Sequence, residues 1–135
     1  LSSVKGINLI SLGGEYVPRY SAFTGLICEQ AIGSLRANLL FMSTSAIADN
    51  IAFHQEQIIV NVKRAMMGSA SQRILLVDSI KLQKPALHRL AAIDQFDRVI
   101  IDSGIDAERL EELQRGNINL EIAPIASSAH PGGAG

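Results

Sequence analysis

Short apolar runs that each stop at a small or acidic polar residue recur along this chain, and segments of helical period separate them. Ile7 to Leu12 stops at Gly13-Gly14, and Ala37 to Met42 meets Ser43-Thr44-Ser45. Ile74-Leu75-Leu76-Val77 stops at Asp78, and Val99-Ile100-Ile101 at Asp102. Runs that are apolar on both faces suit strands of a parallel sheet covered by helices. Further on, Ile118, Leu120 and Ile122 alternate with Asn119 and Glu121, the period of a half-exposed edge strand. The sequence therefore predicts an α/β fold with a mostly parallel sheet flanked by helices.

The intervening segments supply the helices. Ile58, Ile59, Val62, Ala65 and Met66 form a stripe for docking on a sheet, and Gly68 marks its end. Residues 106–115 place acids early and Arg115 last, as the helix dipole favours. A third helix is expected over Thr24 to Leu35, with Leu26, Ile27, Ala31 and Leu35 inward. Hydrophobic residues make up 47% of the 135, enough for one filled core, and aromatics only 4%, too few for a base-stacking surface. A net charge of −1 does not suggest a domain that grips a phosphate backbone. The single cysteine, Cys28, reads as a buried small hydrophobe, Met66-Met67 as core filling, and no cofactor motif or zinc spacing occurs. No apolar run is long enough for a membrane span and no signal peptide is visible, so the expected setting is the cytoplasm.

Ligands of open α/β sheets bind beyond the carboxyl ends of the strands. If the strands are parallel neighbours, Gly13-Gly14, Ser43-Thr44-Ser45, Asp78-Ser79-Ile80-Lys81 and Asp102-Ser103-Gly104 gather around one hollow. Such a set suits a small polyhydroxylated anion, with lysine meeting the phosphate and carboxylates the hydroxyls. Each member also has a plain structural role. Gly13-Gly14 suits a turn, Asp102 a cap and Lys81 a solvated surface. His54 and His88 lack a nucleophilic partner and read as surface or packing residues, and His130 lies in the tail. Arg73, Lys84, His88 and Arg89 add a modest basic region around Lys81.

The succession Val62-Lys63-Arg64-Ala65-Met66-Met67, Ile74-Leu75-Leu76-Val77-Asp78-Ser79-Ile80-Lys81 and Val99-Ile100-Ile101-Asp102 resembles the C-terminal effector-sensing domain of DeoR-family bacterial repressors. Leu12-Gly13-Gly14-Glu15-Tyr16 and Ser21-Ala22-Phe23-Thr24-Gly25 match that family's glycine pair and Ser-x-x-x-Gly segment. The resemblance covers most of residues 7–123. It implies a ribose-phosphate isomerase/glucosamine-phosphate deaminase-like fold that senses a phosphorylated sugar effector without catalysis. It further implies homo-oligomers, and operator DNA bound only through an N-terminal winged helix-turn-helix that this chain does not contain. Residues 1–124 would be the sensing domain, without its first strand and phosphate loop, and 125–135 a flexible tail. By matched position, Lys81 would contact the phosphate and Asp78 orient it. Gly13 and Gly14 would offer amides or room, and Lys63 and Glu56 would face the pocket. The chain departs from the pattern at Phe41 to Ile47, where the family has glycines, and at Ile80, where it has serine. A sugar-phosphate isomerase or deaminase, and an assembly module without ligand, are the alternatives.

Overall fold

The computed structural model describes residues 4–83 and 86–125, so His130 and the predicted tail after its first residue, Ile125, lie outside the described residues. Among those residues, the apolar runs at 37–43, 70–77, 98–102 and 120–123 become β3 (Ala37–Ser43), β6 (Ala70–Val77), β8 (Arg98–Asp102) and β9 (Leu120–Ala123). They form one four-stranded sheet in the order β3-β6-β8-β9, parallel throughout. Among the described residues three α-helices accompany it: α1 (Gly25–Gly33), α2 (Gln57–Ser69) and α3 (Ala107–Arg115). This is the expected α/β architecture.

Elements absent from the sequence reading lie around it. A hairpin joins β1 (Glu15–Val17) to β2 (Ala22–Thr24). A three-stranded antiparallel sheet, β4 (Ala46–Ala48), β5 (Ile51–His54) and β7 (His88–Ala92), lies beyond the carboxyl end of β3 in the chain.

The core fills the space between one face of the parallel sheet and its cover. Leu75, Val77, Val99 and Ile101 pack there with Val60 and Met67 of α2, Leu113 of α3, and Ile47, Ala52, Leu90 and Ala91 of the small sheet. A second cluster joins Cys28 and Ile32 of α1 to Val62 of α2. Helix α2 thus buries two stripes, one toward the sheet and one toward α1, while Ile58 stays exposed. Alternate residues on β3 and β6 point to the other face, where Leu39, Phe41 and Leu76 are exposed. Asp106 caps α3 by accepting the Arg109 backbone N–H at 2.9 Å.

Two expectations are corrected. Ile7 to Leu12 forms no strand: no ladder in the described residues pairs with it, and Ile7, Leu9 and Ile10 are exposed. An apolar run becomes a strand only where a neighbour completes its backbone hydrogen bonds. Helix α1 ends before Leu35 and turns Cys28 and Ile32 inward, leaving Leu26 and Ile27 each 69% exposed. The cause is the chain's entry through the β1–β2 hairpin. Gly14, at φ +110°, lets the backbone pass so close that a Cβ there would lie 2.6 Å from the Thr24 carbonyl oxygen and 2.9 Å from Cys28 Cβ. That contact fixes Cys28 as the inward residue.

Candidate functional site

Parallel pairing aligns Ser43 of β3 with Leu76 of β6, and Val77 with Ile101 of β8. Ser43, Asp78 and Asp102 therefore stand along one rim of the sheet, as the spacing of the apolar runs predicts. They do not share one hollow. Asp78, Lys81 and Asp102 line a cavity of about 650 Å³ with Ile80, Ile100 and Ile125. Ser43 and Lys63 line another, of about 390 Å³, whose walls include Leu12, Cys28, Phe41 and Met66. Gly13 and Gly14 line neither. Gly14 is occupied with the close approach to α1.

The rim carboxylates are turned onto their own backbone. Asp102 accepts the Ser79 amide at 2.6 Å, the Ser79 hydroxyl at 2.8 Å and the Gly104 amide at 2.9 Å. These bonds, the Ser79 amide first, hold its carboxyl below the usual range. Asp78 accepts the Ile80 amide at 3.0 Å, and its carbonyl takes the Lys81 amide at 2.9 Å, closing a 3-10 turn over Ser79–Gln83. Both aspartates thus shape the loops that present Lys81. Thr44 is buried with its hydroxyl donating to the Phe53 carbonyl at 2.7 Å, which removes it from any ligand.

The cations differ. Lys63 projects from α2 and donates to the Ser43 carbonyl. Burial, with Lys81 as a like-charged neighbour, lowers its pKa to about 8. Among the described residues neither lysine has a carboxylate partner. Glu56, at the N-cap of α2, is paired instead with Arg19.

His54 lies close enough to both lysines to feel their charge. It is buried, meets Tyr20 edge-on at 5.8 Å, pairs across the small sheet with His88, and accepts the Glu56 amide on Nδ1 at 3.2 Å. Burial first, then the Lys63 charge, lowers its pKa. The reading of His54 as a packing residue holds, and the small sheet brings it to the lysines. Sequence reasoning missed that role because it missed β5 and β7. Among the described residues no group of three or more His, Cys, Asp or Glu side chains could hold a metal ion. The rim thus carries two lysines without acid partners among the described residues, beside a packed imidazole whose pKa burial lowers.

The family model for the DeoR C terminal sensor domain matches residues 1–103. The chain belongs to that family. It is 29% identical over 116 residues to a lactose phosphotransferase system repressor of Lactococcus lactis subsp. lactis, covering 85% of this chain and 45% of the relative. To an L-fucose operon activator of Haemophilus influenzae it is 28% identical over 106 residues, 78% of this chain and 43% of the relative. To a candidate aga operon transcriptional repressor of Escherichia coli O157:H7 it is 27% identical over 122 residues, 89% of this chain and 45% of the relative. The chain spans somewhat under half the length of these relatives. This DeoR-type sensor domain carries the family's alternation of strand and helix, and the relatives it matches are transcriptional regulators. No helix among its described residues is long and apolar enough to cross a membrane.

Proposed function

We propose that this domain senses a phosphorylated sugar at the carboxyl rim of β3 and β6, within a cytoplasmic, homo-oligomeric regulator that binds operator DNA through a segment outside this chain. The observation that carries the reading is the pair Lys63 and Lys81. The Lys81 charge adds to the burial that lowers the Lys63 pKa, so these two cations, bordering separate hollows of one rim, repel in the free protein, and a phosphate dianion placed between them would relieve that repulsion. The names of the relatives, which speak of lactose, fucose and aga operons, support a sugar-derived ligand. Binding would bias a two-state equilibrium to the extent that the ligand prefers one state.

The reading is non-catalytic. Glu56, which the resemblance turns toward the pocket, is ion-paired with Arg19, and Asp78 and Asp102 are spent on loop amides. A proton abstraction would need a free acceptor within reach of the ligand.

Thermal melting with a panel of phosphorylated sugars tests the proposal, because a ligand selective for the folded state raises the midpoint. Lys81→Ala should weaken the binding found by about 1.5–3 kcal/mol, the scale of a hydrogen bond to a charged group. A flat response across the panel, or unchanged affinity in Lys81→Ala, would reject the site. Aldose–ketose interconversion that Glu56→Gln abolishes would replace the sensor with an isomerase.

A further inference from the structure

Beyond the carboxyl rim, a second basic hollow of about 400 Å³ opens at the other end of the sheet, bordered by Arg64, Arg73, Arg89 and Gln95. Arg73 lies five residues before Asp78, about 16 Å along an extended strand. This hollow is therefore separate from the one that holds Lys81.

Its lining contains no carboxylate. Of the two acids flanking Gln95 in sequence, Asp94 and Asp97, Asp97 accepts the Arg73 backbone N–H at 2.7 Å and so faces the main chain. Arg64 is pinned across the gap between α2 and β7, donating from Nε to the Leu90 carbonyl at 3.0 Å and from Nη2 to the Arg89 carbonyl at 2.7 Å. Arg73 donates from Nη1 to the Gln95 carbonyl at 3.2 Å, while its Nε is buried without an acceptor. A buried donor left unmade is costly, and this guanidinium is one bond short. The Arg89 side chain is exposed, borders the hollow and has no hydrogen-bond or ion-pair partner among the described residues. Against these three charges stands the C-terminal turn of α2, through Gly68, whose dipole disfavours an anion but carries only about half a charge.

We infer that the hollow between α2, β6 and β7 is a second anion site, built for a compact phosphate-bearing small molecule. Guanidinium forks match phosphate oxygens in parallel pairs. A tetrahedral phosphate offers oxygens in three directions, one for each arginine, where a single carboxylate offers two in one plane. A small turn of Arg73 toward the ligand would also give its unpaired Nε an acceptor.

The test uses inorganic pyrophosphate as the probe, with the chain carrying Lys81→Ala so that the carboxyl rim contributes little. Calorimetric titration should show binding, and adding Arg89→Gln should weaken it about tenfold or more. Arg89 is exposed and holds nothing else, so that variant keeps the fold. Arg73→Lys, which keeps the charge and loses the fork, should weaken it as well. Citrate should bind less tightly than pyrophosphate. No binding in the Lys81→Ala chain, equal binding with and without Arg89→Gln, or tighter binding of citrate would each overturn the assignment.

Discussion

The two faces of the parallel sheet are built from adjacent residues and have opposite fates. Leu75 and Leu76 are neighbours on β6, yet Leu75 is 0% exposed and Leu76 is 42% exposed. On the covered side, β6 and β8 meet α2, α3 and the small antiparallel sheet. On the other, Leu39, Phe41 and Leu76 meet far less protein. The lesson is that an apolar run does not report how many of its faces the chain itself covers. It reports only that both are able to be covered.

Substitutions of matched chemistry sharpen the contrast. Leu75→Ala should lower unfolding free energy by about 2–5 kcal/mol in denaturant titrations, the cost of a core cavity. Ile101→Val, one methylene on the same covered face, should cost about 0.5–1.5 kcal/mol. Leu76→Ala should stay within about 0.5 kcal/mol, as surface changes do. A loss at Leu76 equal to that at Leu75 would break the comparison, and would mean that the open face is packed in solution.

Lys63 probes the polar margin of the covered side through pH. Its folded pKa of about 8 lies below its ordinary value of 10.5, so between those limits the unfolded chain binds more protons. Stability should therefore rise as pH climbs from about 8 toward 10.5, and Lys63→Met should flatten that rise. Affinity for a phosphorylated sugar should run the opposite way. It is full while Lys63 is charged and falls as pH rises through about 8. Melting and binding measured across the same pH series would show both signs or refute the burial of this amine.

The parallel sheet was legible because Leu40 to Met42, Ile74 to Val77 and Val99 to Ile101 are runs that a solvated loop would not carry. The small sheet was not legible. Ala46–Ala48 and Ile51–His54 are three and four residues long, joined through Asp49 and Asn50 in left-handed conformation, too short for a period to show. In helix α1 the sequence places the element and buries Cys28, but its apolar pattern also turns Leu26 and Ile27 inward, because its direction is set by Gly14 packing on Cys28, a contact across the turn. At the rim, residue types pointed to Lys63, Lys81, Asp78 and Asp102. Their division of labour depended on hydrogen bonds such as those of Asp102 to Ser79, which join residues 23 positions apart.

The topology also governs how the chain reaches this state. Each ladder of the main sheet joins strands separated by an intervening excursion, from β3 to β6, β6 to β8 and β8 to β9. The β1–β2 and β4–β5 hairpins need only local closure and can form in roughly 1–10 μs. The main sheet must first close those long excursions, which places overall folding in the slower, milliseconds-or-longer regime of non-local topologies. Until then the apolar strands that build it are available to other chains, so dilution and low temperature should decide the yield on refolding.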